Sequence, residues 1–440
     1  MAQSPSTKTP RSSQELVRGL RNAVPYIREH DGQVFVVAFG GEALTDAQCF
    51  QRLIRDLVLI ADLGVRLVLV PGARPQINQR LHAQNQPCAF HQNLRITPES
   101  AMPLIAEAVG AVQLEIISWL SARLSLASGT GLAQRALTGN FITARPVGVI
   151  DGVDLGYTGA VRRVDTAALH AALQHEAVVV QSTLGFSPTG EMFNLRAEEV
   201  AEAIAASVGA DKLIYLTTLP EHLPSTLTLD EVDRWLPDPE QAAEFSGHLA
   251  SARRAVEQGV ARVHLIDRCM DGGLLIELYT RDGCGTMVTK EPYEQIRPAS
   301  LDDIGGILAL IEPLEREGVL VRRSREQLEL EIERFIVIDR DGDVIGCAAL
   351  YPFPAEKTAE LAALVVHPAY QHGGRAGRLL QYLEDMARQA GLESVFLLST
   401  QSIGFFKERG FTPLEISELP PQRQQLYNYK RNSLAFGKPL

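Results

Sequence analysis

The chain has 440 residues, 45% of them hydrophobic and 22% charged, with a formal net charge of -11. That is apolar material for more than one core, and the acidic balance argues against a nucleic-acid or anionic-membrane partner while leaving small anions to local arginines and backbone amides. The five cysteines, Cys49, Cys88, Cys269, Cys284 and Cys347, form no Cys-x-x-Cys pair, so neither a disulfide framework nor a metal site is expected, and reduced thiols in a cytoplasmic protein are.

Residues 1–13 are polar, rich in Ser, Thr and Pro, and read as a disordered tail without the apolar stretch of a signal peptide. No run approaches the ~18 apolar residues a membrane helix needs. Ser12 and Glu15 have capping-box spacing, and Leu16, Leu20, Val24 and Ile27 share one helical stripe that Pro25 should bend.

The apolar run Val34 to Phe39 then ends in Gly40-Gly41. A helix is expected around Phe50 to Leu63. A second run, Val65 to Val70, ends in Pro71-Gly72-Ala73. This alternation is the rhythm of a parallel α/β sheet. Further strands are expected at Ile142 to Val149, Val178 to Gln181, Lys212 to Leu216 and Val263 to Leu265, with a helix from Ala197 to Ser207. Leu219 to Ser246 is polar and interrupted and reads as an excursion off the sheet. Leu274 to Tyr279 reads as an apolar strand carrying Glu277, followed by the turn Asp282-Gly283-Cys284-Gly285.

After residue 290 the pattern changes. A helix is expected at Leu301 to Leu310, strands at Glu331 to Asp339, Val344 to Tyr351 and Glu360 to Val366, a helix through Leu379, Leu383 and Met386, a strand at Ser394 to Leu398 and a helix at Ile403 to Arg409. The expected organisation is a larger α/β domain with a parallel sheet at 14–290, a linker at 291–296 and a smaller α+β domain at 297–440.

The most informative stretch is Leu364 to Leu380. A strand runs into His367-Pro368, then Gln371-His372-Gly373-Gly374-Arg375-Ala376-Gly377, then a helix. Small residues let successive backbone N–H groups converge on an anion at a helix start, although a glycine-rich helix start can also bind nothing. Gln371, Gly374 and Ala376 meet the Gln/Arg-x-x-Gly-x-Gly/Ala pattern of the GNAT acetyltransferase superfamily, which the domain resembles. Ile296-Arg297-Pro298-Ala299 and Phe406-Lys407-Glu408-Arg409-Gly410-Phe411 are similar to its start and end. The resemblance covers roughly the last third of the chain. It implies acetyl-CoA, with pyrophosphate on Gln371, Gly373, Gly374, Ala376 and Gly377, and pantetheine amides on the backbone of Leu364, Val365 and Val366.

An amine must lose a proton before it attacks a thioester, and a carboxylate can take it directly or through water. Glu360, at the head of the strand leading to the loop, is the first candidate; the alternative is a solvated strand-end glutamate. Ser399, at the end of the next strand, can orient the thioester or the water, or can cap the following helix. A dicarboxylate acceptor calls for guanidinium forks, and Arg322, Arg323 and Arg431 are the candidates, with a solvated face as the alternative for the first two.

Residues 14–290 resemble the amino acid kinase family and, within it, N-acetylglutamate kinase. Phe39-Gly40-Gly41 and Val70-Pro71-Gly72-Ala73 stand where that family binds phosphates, and Asn194 to Glu198 with Gly209 to Leu213 match a second block. The family's catalytic lysine is Ala38 here and its aspartate is Glu198, which removes a cation that phosphoryl transfer needs, although Lys212 remains. The two domains in this order resemble the bacterial two-domain N-acetylglutamate synthases. That resemblance implies L-glutamate as acceptor, N-acetylglutamate as product, feedback inhibition by L-arginine and a homo-oligomer, a hexamer. Tyr26, Lys212, Glu277 and Gly283 form the candidate arginine site, Glu277 holding the guanidinium; the alternative for Glu277 is a paired structural carboxylate. Three other readings stand beside this one: a bifunctional synthase and kinase, a non-catalytic arginine sensor, and acetyl transfer to a different amine.

Overall fold

In the strand Val34–Phe39, Phe35, Val37 and Phe39 enter one hydrophobic core while Val36 and Ala38 enter another. Arg66–Pro71 repeats the alternation with Leu67 and Leu69 against Val68 and Val70. Strands covered on both faces read as the continuous apolar runs seen in the sequence. The structure, a computed structural model, describes residues 11–127, 135–174, 177–236, 243–290, 293–340, 342–371, 373–399, 403–425 and 433–440. It divides into two units, Met1–Pro292 and Tyr293–Leu440.

The first unit is built on an eight-stranded sheet in the order Thr226–Thr228, Thr286–Thr289, Val263–Asp267, Lys212–Thr217, Val34–Phe39, Arg66–Pro71, Ala177–Val180, Arg135–Leu137. Neighbours are parallel except Thr286–Thr289 against Val263–Asp267. Helices Ala47–Asp62, Arg74–Ala83, Met102–Ala127 and Gly273–Tyr279 cover one face; Thr166–Gln174, Ala197–Val208 and Ala243–Glu257 cover the other. Asp46 starts the first of these by accepting from the N–H groups of Gln48 at 2.8 Å and Cys49 at 3.2 Å, an N-cap that satisfies two helix-end donors.

Several elements depart from the reading of the sequence. Ile142–Pro146 joins a separate four-stranded sheet with Met192–Asn194, Leu184–Phe186 and Gly159–Val164. The segment read as an excursion supplies the edge strand Thr226–Thr228 and the helix Leu229–Trp235. Leu274 to Tyr279 is helical, because a short apolar hexad suits a buried helix as well as a strand. The first helix, Arg11–His30, begins inside the stretch read as tail. Glu99–Ala122 is long and apolar enough to cross a membrane by length and composition. Its Ile105, Val109, Val112, Ile116 and Leu120 recur at helical spacing in the core.

The second unit has a seven-stranded sheet in the order Glu294–Pro298, Phe335–Arg340, Asp343–Phe353, Thr358–Val366, Ser394–Ser399, Leu434–Pro439, Thr412–Leu414. Its first strand takes up residues 294–296 of the segment read as linker. Glu331 to Arg334, expected in a strand, complete the helix Arg325–Glu331 and a short 3-10 turn instead, burying only Ile332. All pairs are antiparallel except Thr358–Val366 with Ser394–Ser399. A parallel pair needs a crossover. Here the crossover is the glycine loop and the helix Arg375–Gln389, which buries Leu379, Leu380, Leu383 and Ala387.

Candidate active and regulatory sites

The strand Thr358–Val366 pairs with Asp343–Phe353 along its length but with Ser394–Ser399 only from Thr358 to Leu361. Beyond Leu361 one edge of the strand leaves the ladder, so Leu364, Val365 and Val366 lie where backbone groups can pair with an extended ligand. Ala363, in this stretch, has φ +50°. Ser399 ends the strand on the other side of the opening.

Past Val366 the chain turns through Pro368–Tyr370, and Gln371 Nε2 donates to Val366 O at 3.2 Å. Gly374 caps the next helix at φ +71°. Arg378 N donates to Gly374 O, so the N–H groups of Arg375, Ala376 and Gly377 precede the first intrahelical bond. Gly373 and Gly374 are exposed, and a Cβ on Gly374 would meet no atom within 4 Å. The arrangement is an open, donor-lined helix start suited to a diphosphate.

Sequence reasoning missed what holds this loop. Glu294 accepts from Arg375 Nε at 2.9 Å and Nη2 at 2.7 Å, and Arg378 Nη2 pairs with its other oxygen. Arg375 Nη1 donates to Tyr370 O at 3.2 Å. Burial opposes the charge on Glu294, but Arg375 and Arg378 win and hold its carboxyl below the usual range.

Glu360 is buried rather than solvated, and bonded on both oxygens by Arg423: Nε to Oε2 at 2.5 Å and Nη2 to Oε1 at 3.0 Å. Arg423, from the short helix Pro421–Gln425, was not anticipated either. Glu360 is level with Tyr351 on one neighbouring strand and Phe396 on the other. Ser399 lies three residues beyond Phe396, about 10 Å along the strand. Arg323 donates to Val321 O at 3.1 Å and its charge acts on Tyr351, beside Glu360 in register. Arg322 is exposed, and Arg431 lies outside the described residues.

In the first unit, Gly40, Gly41, Gly72 and Ala73 line a cavity of about 130 Å³ together with Arg74, Asn194, Glu198, Glu244 and His248. Ala38 presents a buried methyl where a kinase needs a cation. The carboxylate of Glu42 lies against Gly40, which disfavours a phosphate there. Lys212 cannot substitute. It pairs in register with Phe35 while Leu216 pairs with Phe39, which puts it about 13 Å along the strand from the glycine end.

That opposite end of the sheet gathers the candidate effector residues. Lys212 Nζ lies 5.7 Å from the Phe35 ring centroid. Glu277 accepts from the N–H groups of Cys284 at 2.7 Å and Gly285 at 2.8 Å, and lies 2.7 Å from His264 Nδ1. Burial opposes its charge, yet these hydrogen bonds and His264 hold its pKa down to about 2. Burial pushes the His264 pKa down, against the pull of Glu277. Gly283, at φ +63°, packs so closely on Glu277 that a Cβ would come within 2.5 Å of Oε2. His264 Nε2 and the Tyr279 hydroxyl are buried without hydrogen-bond partners among the described residues. Tyr26 is half-buried against the same core as Leu278 and Tyr279. The geometry therefore makes Glu277 a bonded carboxylate, with His264 Nε2 buried beside it without a partner among the described residues.

Two family models match the chain: the amino acid kinase family over residues 33–221 and the acetyltransferase (GNAT) family over residues 306–411. An amino-acid acetyltransferase of Azotobacter vinelandii is 45% identical over 435 residues, covering 97% of this chain and 100% of the relative. One from Shigella flexneri is 44% identical over 429 residues, covering 95% and 97%. The crystal structure of N-acetylglutamate synthase from Neisseria gonorrhoeae complexed with coenzyme A and L-arginine superposes with a TM-score of 0.81 at 37% identity, covering 96% of this chain and 99% of that one. The same synthase complexed with coenzyme A and N-acetyl-glutamate gives a TM-score of 0.61 at 38% identity.

Proposed function

The chain belongs to the amino-acid acetyltransferase family, and from that premise we infer that it transfers the acetyl group of acetyl-CoA to the α-amino group of L-glutamate, forming N-acetylglutamate. The observation that carries this reading is the full-length match to an amino-acid acetyltransferase and to the N-acetylglutamate synthase structure, together with an open, donor-lined loop between two splayed strands. In the reaction the amine nitrogen forms a bond to the thioester carbonyl carbon, the carbon–sulfur bond breaks, and coenzyme A leaves as its thiol. The loop residues Gln371, Gly373, Gly374, Ala376 and Gly377 take the pyrophosphate. The free edge of Leu364 to Val366 takes the pantetheine amides. Glu360, oriented by Arg423, receives the amine proton through water, and Ser399 orients the thioester. Arg322, Arg323 and Arg431 are assigned to the carboxylates of glutamate. The five thiols are free, in keeping with a cytoplasmic place for the reaction.

The test is release of coenzyme A thiol in the presence of a panel of amino acids. Glutamate should turn over fastest; equal or faster turnover with aspartate, glutamine or an aminoglycoside defeats the assignment. The kinase-like unit does not carry phosphoryl transfer in this reading, given Ala38, Glu42 and the position of Lys212.

The same unit is assigned to inhibition by L-arginine, with Tyr26, Lys212, Glu277 and Gly283 around the effector. The unpartnered His264 Nε2 and Tyr279 hydroxyl support it, because buried polar atoms without partners are costly unless a ligand completes them. A homo-oligomer, a hexamer, is part of the reading; the helix Arg11–His30 leaves Val17 and Leu20 exposed. Glu277→Gln should raise the arginine concentration for half-inhibition by roughly tenfold, a charge-assisted bond being lost, with uninhibited turnover little changed. Deleting residues 1–30 should shrink the particle seen by light scattering and blunt inhibition together. Inhibition competitive with glutamate and untouched by both changes would place the effector elsewhere.

A further inference from the structure

The helix Arg375–Gln389 has no acidic residue in its first turn and carries Arg375 and Arg378 there. Two cations at the positive end of a helix dipole are unfavourable. They also occupy the place where an anionic ligand needs backbone N–H groups held outward. Glu294 answers both guanidinium groups with one carboxylate. It lies 81 residues away in sequence from Arg375, on the first strand after the boundary between the units. The contact is half-buried: the Glu294 and Arg375 side chains are 14% and 16% exposed.

The anchoring continues beneath the loop. Arg375 is fixed to Tyr370 O and lies 5.6 Å from the Tyr370 ring centroid. Arg340, opposite Glu294 in register, stacks between Tyr370 at 5.1 Å and Tyr293 at 5.0 Å. Guanidinium and aromatic faces thus alternate from Tyr293 to the loop. Space closes under Gly373, where a Cβ would come within 2.5 Å of Arg375 Nη1.

We propose that Glu294 is a positioning residue for the coenzyme loop: by pinning Arg375 and Arg378 it keeps the first turn of the helix formed and its N–H groups aimed at the coenzyme. Tyr293 and Glu294 are the first two residues after the boundary between the units. The proposal rests on the reading of that loop as the acetyl-CoA site.

The experiment is steady-state kinetics on the full chain with Glu294→Gln, Arg375→Ala and the double variant. Glu294→Gln should raise KM for acetyl-CoA roughly tenfold, the scale of a lost charge-assisted pair, with kcat and KM for glutamate within about twofold. The double variant should lose less than the two single losses combined, because both changes break the same Arg375–Glu294 pair. A structural defect would instead lower the active fraction, and with it kcat, without moving KM. An unchanged or lowered KM for acetyl-CoA in Glu294→Gln, or additive effects in the double variant, overturns the proposal. Gly374→Glu distinguishes the source of a failure. If it abolishes coenzyme binding while Glu294→Gln does nothing, only the role of Glu294 falls. If it too leaves binding intact, the loop assignment and the proposal fall together.

Discussion

Replacing Glu360 by glutamine is expected to lower kcat by about 100- to 10,000-fold, the range over which a positioned base assists proton transfer, with acetyl-CoA affinity nearly intact. Glutamine keeps the shape but cannot take up a proton at neutral pH. The pairing with Arg423 does not remove Glu360 from the chemistry. A carboxylate offers about four acceptor positions, and Arg423 uses one on each oxygen. The remaining positions can receive a proton from water. Arg423→Met should also lower kcat, and the double variant should fall no further than the worse single one, since the two side chains act as a unit. Thermal unfolding of each variant separates this from simple damage, because leaving one partner of a buried ion pair alone costs about 3–5 kcal/mol. A Glu360→Gln enzyme within about threefold of wild type would move the proton to another group or to bulk water.

The parts legible in the sequence are those whose signal is local. Val34 to Phe39 ends in two glycines, and its run of six apolar residues could only be a covered strand or a helix too short to stand. Gln371 to Gly377 carries its own turn chemistry, so strand, loop and helix could be placed from a dozen residues. The short apolar run around Glu277 has glycines on both sides, which do not decide strand from helix, and its helix is set by packing on Ile266 and the core beneath. Lys212 shows a different limit. Its residue type was visible, but only the strand direction and register put it at the far end of the sheet from Gly40 and Gly41. The clamps were illegible for the same reason. Glu294 reaches Arg375 across 81 residues and Arg423 reaches Glu360 across 63. No periodicity links them, and only the order of strands in the sheet brings them together.

Gly374→Glu should weaken acetyl-CoA binding by at least about 100-fold, two factors of ten at about 1.4 kcal/mol each. Two effects combine. Gly374 holds φ +71°, where a residue with a Cβ is strained by roughly 1–2 kcal/mol. The added carboxylate also stands in the open space above the loop, where no protein atom lies within 4 Å of the Cβ, and it repels a diphosphate approaching the same N–H groups. Because that space is open, the new side chain does not collide with the fold, and the melting temperature should fall only by the strain. Gly374→Ala separates the two effects: it carries the strain without the charge, so its loss of affinity should be clearly smaller than that of the glutamate variant. Calorimetric titration with acetyl-CoA measures both. Equal losses in the two variants would assign the effect to backbone strain alone. Wild-type affinity in the glutamate variant would mean that the pyrophosphate does not rest on the start of this helix.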